Sequence, residues 1–386
     1  MLHTLAIHRY RSLYDLVLPL SQLTVISGPN GSGKSGVYRA LRLLVEATTG
    51  NVTAALAREG GMPHTFWAGP GEVSDRMVRG EVPVNGQPGG PKKRLRFGFV
   101  DDDLGYTISL GYPPPSSSLF ALDPEIKNET IFAGRWYKPA GALVERSART
   151  VSYRENRKWE VLMEDIPGWE SMMAHIADPT QAPAVYLFRE RMRDWRFYDH
   201  FRTDRDAPAR QVAVGTRTPV LDSEGATLAA AIQTILEMGD RELFDDTIRD
   251  AFGDASVRVE PIVGGRLSLG FQQHGLLRPL EVGELSDGTL RFLMLTAALL
   301  SPRPPRLMVF NEPETSLHPE LIPALARLML QVSRRTQLWV VSHSRLLIES
   351  LQSHPSTHLL ELEKQLGMTR VKGLGPLEMP AWKWPD

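Results

Sequence analysis

The chain has no cysteine, which excludes disulfide bridges, thiolate metal sites and cysteine nucleophiles together. It also lacks a long apolar run. The stretch from Leu290 to Leu300 is interrupted by Arg291 and falls well short of the ~20 residues that a membrane-spanning helix needs. The opening Met1-Leu2-His3-Thr4-Leu5-Ala6-Ile7-His8-Arg9 has neither the apolar core nor the cleavage site of a signal peptide, so it is expected to be a strand. Net charge is missing too: 44 Lys plus Arg against 45 Asp plus Glu leave −1, and any contact with nucleic acid has to come from a local patch. No heptad pattern runs through the middle, so no coiled-coil arm is expected. His3, His8, His64, His175 and His200 stand without metal-ligand spacing, which argues against zinc. Together these absences point to a cytoplasmic chain with no membrane partner.

What is present is an ordinary globular composition, 42% hydrophobic and 23% charged over 386 residues, enough for a large core. Residues 2 to 10 and 16 to 26 read as a strand pair feeding Gly28. Val37, Leu41, Leu44 and Val45 then recur at helical spacing from Ser35 to about Ala47. Between them lies Gly28-Pro29-Asn30-Gly31-Ser32-Gly33-Lys34-Ser35, a full G-x-x-x-x-G-K-[ST] match in the strand-loop-helix setting that the motif requires. Its glycines let backbone N–H groups turn inward around a phosphate, and the helix adds its positive end. Lys34 reaches the β- and γ-phosphates, and the Ser35 hydroxyl is offered to Mg²⁺.

A Gly- and Pro-rich stretch at 59 to 91, containing Pro88-Gly89-Gly90-Pro91, reads as a loop or irregular insertion. A hairpin follows at 94 to 110 around the acidic turn 101 to 103, with extended runs near 130 to 138 and 148 to 162. Helical spacing returns at 184 to 202 and 226 to 252. A second hairpin spans 256 to 272, and then come a helix at 288 to 300, a strand at 306 to 310, a helix at 320 to 334 and a strand at 337 to 342.

A phosphate loop alone leaves kinases, GTPases and many ATPases open. The distal motifs narrow the choice. Leu285-Ser286-Asp287-Gly288-Thr289 opens an apolar helix, with Ser286 or Asp287 placed to cap it. Leu307-Met308-Val309-Phe310 runs into Asn311-Glu312-Pro313-Glu314, then Thr315-Ser316-Leu317-His318-Pro319, and Leu338 to Val341 leads to Ser342-His343-Ser344. Carboxylates at the carboxyl end of a strand are placed to manage a nucleotide's metal and attacking water.

This order of motifs resembles the ABC-type ATPase heads of the SMC-like and RecF-like group, including stand-alone bacterial ATPases labelled as AAA-type. The resemblance implies an α/β P-loop NTPase fold with a mixed or parallel core sheet, an antiparallel β subdomain and a helical lobe. It divides a single ABC-like domain, 1–386, into N-terminal strands and P-loop (1–58), a β-rich insertion (59–165), a helical lobe (166–254), a lobe carrying the distal motifs (255–350) and a C-terminal tail (351–386). Gly28 to Ser35 resembles Walker A, Leu285 to Thr289 the signature, Leu307 to Glu312 Walker B with its catalytic Glu, Ser316 to Pro319 the D-loop, and His343 the switch histidine. Lys34, Glu312 and His343 are then the catalytic set. Gly28 to Ser35 with Ser286, Asp287 and Gly288 contact ATP, and Ser35 and Asn311 face Mg²⁺. Such heads pair in ATP-dependent homodimers in which one subunit's signature covers the other's nucleotide, and they work on DNA or a partner protein in repair or defence. Where the family has Walker B Asp, this chain has Asn311, whose amide brings no charge to a divalent cation. The glutamine loop has two candidates by order, Gln181 and Gln211.

Two readings follow: an ATPase, or a slow or non-hydrolysing clamp gated by nucleotide. From 189 to 210, Arg189, Arg191, Arg193, Arg196, Arg202, Arg205 and Arg210 alternate with aromatics and with five acids. The expected outcome is mutual pairing, with a protein interface or nucleic-acid contact as alternatives. Lys92-Lys93-Arg94 reads as a solvated strand edge, and Trp382 and Trp384 as aromatics folding back onto their own domain.

Overall fold

The computed structural model describes residues 1–84, 94–176, 178–375 and 378–385; the Pro88–Pro91 run, Lys92 and Lys93 lie outside the described residues. The chain divides into two units, one of Met1–Ser21, Gly28–Trp195 and Leu360–Asp386, the other of Gln22–Ser27 and Arg196–Leu359.

The first unit is built on an antiparallel sheet of eight strands in the order Leu13–Pro19, Thr4–Tyr10, Arg94–Val100, Leu104–Gly111, Glu125–Ala133, Ala142–Ser147, Thr150–Glu155 and Lys158–Met163. The acidic turn forms as expected: the Asp101 carboxylate accepts from the N–H groups of Asp103 and Leu104 at 3.1 and 2.9 Å. The helix Lys34–Ala47 buries Val37, Leu41 and Leu44 on one stripe, the arrangement that its 3.6-residue spacing calls for. Where two extended runs were expected, four strands stand. Short chain reversals between them carry too few residues for a clear pattern, with Ala148, Asn156 and Arg157 at positive φ. The tail aromatics pack back on this unit, Trp382 edge-on to Phe132 at 6.5 Å and to Trp384 at 5.3 Å.

A buried polar knot holds the middle of this sheet. Glu129 and Arg146 have fully buried side chains 3.1 Å apart. Glu129 also accepts from the Tyr106 hydroxyl at 2.6 Å, the Ser171 hydroxyl at 2.5 Å and the Met172 N–H at 2.8 Å. Burial, and then the Glu129 charge, push the Tyr106 hydroxyl pKa well above its usual value.

The second unit centres on four parallel strands in the order Arg196–Tyr198, Leu307–Asn311, Gln337–Val341 and Leu23–Ser27. Leu307–Phe310 and all of Gln337–Val341 are buried, the unbroken burial of strands covered on both faces. A smaller antiparallel sheet pairs Ser256–Ile262 with Arg266–Gln272 through the Gly264-Gly265 turn. The helix Asp287–Leu299 is buried at every position from Leu290 onward, so its apolar run is a core helix. The longest helix among the described residues, Lys34–Ala47, has 14 residues, so they contain no coiled-coil arm. Among them, too, no helix is long and apolar enough to cross a membrane.

Three further expectations are corrected. The run 16 to 26 is two strands. The Leu20 N–H closes the antiparallel pairing on the His3 carbonyl at 2.8 Å, after Pro19, which has no N–H to give to a ladder. The Gln22 carbonyl then accepts from Leu338 N–H at 2.9 Å, in the parallel sheet. The helical spacing of 184 to 202 ends at Arg193, and Arg196–Tyr198 is a strand, too short to leave a period of its own. The stretch 226 to 252 is two helices, Leu228–Met238 and Arg241–Phe252, parted at Gly239 where Asp240 caps the second through Leu243 N–H at 3.1 Å.

Candidate functional site

The loop Gly28 to Gly33 follows the strand Leu23–Ser27 in the chain and has the backbone that the motif requires. Gly28, Gly31 and Gly33 have φ of 147°, 78° and 112°, values that side chains resist. A Cβ on Gly28 would stand 2.3 Å from the Leu362 carbonyl oxygen, and one on Gly33 2.2 Å from Thr369 Oγ1. Both obstacles come from the hairpin Thr357–Gln365 and Met368–Val371, within the C-terminal tail 351–386. Thr369 Oγ1 donates to the Ser32 carbonyl at 2.7 Å, so it accepts from the Ser12 hydroxyl at 2.8 Å.

Lys34 is buried, and its ammonium donates to the carbonyls of Gly28 and Pro29 at 2.6 and 3.1 Å. Pro29, Asn30, Gly31 and Ser35 are exposed. The helix that starts at Lys34 has no side-chain cap on its first N–H groups, and the buried Ser32 hydroxyl has no partner. A loop with uncapped helix N–H groups, a lysine curled over it and an exposed serine hydroxyl fits a nucleotide's phosphates with Mg²⁺.

In the second unit, the strand Leu307–Asn311 delivers the acidic motif. Asn311 donates its amide Nδ2–H to Asp199 Oδ1 at 2.6 Å, while its own Oδ1 is buried without a partner. Glu312 continues the sheet through its N–H to the Val341 carbonyl at 2.8 Å, yet takes φ of 49° in front of Pro313. A left-handed, non-glycine residue at a strand end is a held conformation. It sets Glu312 Oε1 3.3 Å from His343 Nδ1. Glu314, given no role from sequence, is buried beneath them. Its Oε1 accepts from the Ser342 hydroxyl at 2.6 Å and from the N–H groups of His343 and Ser344 at 3.2 and 3.1 Å. It fixes the loop that presents His343.

The buried Arg291 braces the same turn, donating to the carbonyls of Glu312, Pro313 and Phe201 at 3.1, 3.4 and 3.4 Å. Burial lowers its pKa, and the charges of Glu314, Asp199 and Glu312 act in the opposite direction. Glu314, Asp199 and Glu312 thus gather carboxylates at this strand end, the kind of oxygen donor that a divalent cation takes.

Ser286 caps the helix Asp287–Leu299, its hydroxyl oxygen accepting from Thr289 N–H at 3.1 Å. Arg210 clamps the loop before it, donating to the carbonyls of Val282 and Leu285 at 3.0 and 2.9 Å and to Asp287 Oδ1 at 2.9 Å. Gly288 lies so near the segment 316–319 that a Cβ there would stand 2.9 Å from the Ser316 carbonyl oxygen. The arginine-rich window is thus used within the fold: Arg191 pairs with Asp101 at 2.6 Å, Arg202 with Asp204 at 2.7 Å, and Trp195, Tyr198 and Phe201 are buried. Those three aromatics are not open for stacking on bases. Gln181 lies in a turn with Asp178, and Gln211 follows the turn 208–210. Neither ends a strand of the parallel sheet; Asp199 does, directly after Arg196–Tyr198. Among the described residues no group of His, Asp and Glu forms a complete metal cage, and a nucleotide-bound Mg²⁺ does not need one, because phosphates and waters fill most of its shell. A cavity of about 910 Å³ lined by Met238, Arg241, Leu300 and Arg335 lies by the residues that enter the strand at Leu307, the end away from its acidic motif.

The fold is that of SMC head domains. A crystal structure of an Smc head bound to the C-winged helix domain of ScpA matches with a TM-score of 0.54 at 14% identity, covering 98% of this chain and 99% of that one. The Smc head with an extended coiled coil from Pyrococcus furiosus, bound to the C-terminal domain of ScpA, matches at 0.50 and 14%, covering 96% and 95%. That of Pyrococcus yayanosii, with a coiled coil and joint, matches at 0.50 and 12%, covering 98% of each. Residues 179–349 match the family model described as "AAA domain, putative AbiEii toxin, Type IV TA system". No curated protein gives a significant match.

Proposed function

We propose that the chain binds ATP with Mg²⁺ and hydrolyses it, working as an ATP-dependent head-to-head homodimer. The observation that carries this reading is the loop Gly28 to Ser35, with three glycines at positive φ, an uncapped helix start and Lys34 folded over the loop carbonyls. With nucleotide bound, Lys34 would leave those carbonyls for the β- and γ-phosphates, and Ser35 and Asn311 would hold the metal. Glu312 orients the attacking water, and His343, held by Glu314, senses the γ-phosphate. Mg²⁺ would supply charge neutralisation on the phosphates. The load of the motion, DNA or a partner protein, follows from the resemblance alone.

Lys34→Ala is expected to weaken ATP binding roughly 10- to 100-fold, the value of charge-assisted hydrogen bonds worth about 1.5–3 kcal/mol. Calorimetric titration of the folded variant checks this, and unchanged affinity would overturn the phosphate-loop role.

If Ser286, Asp287 and Gly288 serve the opposite subunit's nucleotide, Ser286→Arg abolishes the ATP-dependent dimer while ATP binding by the monomer persists. Ser286→Ala is the control, because it also loses the cap, worth about 1 kcal/mol, but adds no bulk. Sedimentation with ATP and Mg²⁺ in a Glu312→Gln background separates them. An arginine variant that dimerises like the alanine variant reduces Ser286 to a helix cap.

The amide at Asn311 favours a second reading, a nucleotide-gated clamp that turns over slowly or not at all. Phosphate release compared with ATP affinity on one sample divides the two.

A further inference from the structure

Position 311 ends the strand where a metal-facing carboxylate is wanted, and it carries an amide. The neighbouring strand supplies what is absent. Arg196–Tyr198 runs parallel to Leu307–Asn311 with Tyr198 opposite Phe310, so the next residues, Asp199 and Asn311, emerge side by side from the carboxyl end of the sheet. They are in contact, Asn311 Nδ2 donating to Asp199 Oδ1 at 2.6 Å.

That contact fixes which way the amide points. An ionised carboxylate only accepts hydrogen bonds, so the NH₂ side of Asn311 must face Asp199 and the carbonyl side must face away. Asn311 Oδ1 is accordingly buried with no partner. A buried, unpaired acceptor costs about 1–3 kcal/mol and is kept where something else completes it. An acceptor oxygen beside an exposed carboxylate is the donor set that a hard divalent cation and its waters take. The surrounding charges agree: Asp199, Glu312 and Glu314 act together on the buried Arg291.

We propose that Asp199 supplies the carboxylate for the nucleotide's divalent cation, with Asn311 orienting it and offering Oδ1 to the cation's water shell, so that the charge sits one strand over from the position where the motif would put it. This rests on the nucleotide-binding reading above and adds a residue to it.

The test compares wild type, Asp199→Asn, and the exchange Asp199→Asn with Asn311→Asp. ATP affinity is titrated by calorimetry in EDTA and across a Mg²⁺ series, and bound Mn²⁺ is followed by electron paramagnetic resonance. Asparagine at 199 still accepts from Asn311 Nδ2, so the fold is kept, and thermal melting verifies it. Asp199→Asn is expected to raise the Mg²⁺ midpoint about tenfold, or ~1.4 kcal/mol, with EDTA affinity unchanged. The exchange returns the midpoint to within about twofold of wild type by moving the charge onto the other strand.

An Asp199→Asn protein with the wild-type Mg²⁺ midpoint and Mn²⁺ signal overturns the proposal while ATP binding stands. An exchange variant no better than Asp199→Asn also overturns it, because charge at this strand end would then be of no consequence. If wild type binds ATP in neither condition, the nucleotide reading falls and the proposal falls with it.

Discussion

Glu312→Gln should lower steady-state phosphate release by roughly 10²- to 10⁴-fold, the range that a positioned general base contributes, while ATP affinity stays within about twofold. The substitution keeps the length of the side chain and the left-handed backbone that holds it. It also keeps a partner for His343 Nδ1, which lies 3.3 Å from Glu312 Oε1. What it removes is the capacity to take a proton from water or align it by charge. Malachite-green phosphate release and nucleotide titration on one preparation measure both numbers. A glutamine variant as active as wild type would take the water-handling role away from Glu312. A wild type with no turnover to lose, but with ATP affinity intact, would favour the clamp.

Glu129→Ala is expected to destabilise the first unit by about 3–5 kcal/mol, the cost of breaking a buried ion pair from one side. Arg146 would remain fully buried beside an empty acceptor, and Tyr106, Ser171 and the Met172 N–H would each lose their oxygen. Replacing both charged partners, Glu129→Leu with Arg146→Met, should recover much of that loss, since it strands no charge. Urea denaturation followed by tryptophan fluorescence reads the difference. A single variant that loses less than about 1 kcal/mol would mean that water reaches Arg146 and that the knot is weaker than its burial implies.

The parts legible in the sequence are those in which chemistry is local. The phosphate loop is one contiguous motif, and Leu307–Phe310 and Leu338–Val341 advertise buried parallel strands by unbroken apolar runs. Ser286 was readable as a cap because capping joins residues three apart. The illegible parts depend on distant pairing. Asp199 stood in a window dominated by arginines and aromatics. Only the partner strand, more than a hundred residues away, makes a strand of the three residues before it. Glu314 was visible beside Glu312, but its three donors come from Ser342 to Ser344. Arg210 read as one charge in a basic run, whereas its partners are carbonyls around residue 283. The break at Pro19 is a choice between two sheets, and a propensity argument sees only that both sides are extended.

The contact of Thr369 with Ser32 and Ser12 orders events in time. The two ends of the Thr369–Ser32 hydrogen bond are 337 residues apart in the chain. At a synthesis rate of about 5–20 residues per second, the phosphate loop leaves the ribosome on the order of tens of seconds before the hairpin that braces it. Through that interval Gly28 and Gly33 lack the wall against which their missing side chains make sense, and the Ser32 carbonyl lacks its donor. A nascent chain therefore carries the whole nucleotide motif well before it carries the finished cradle, and the step that completes the loop is a closure of high contact order.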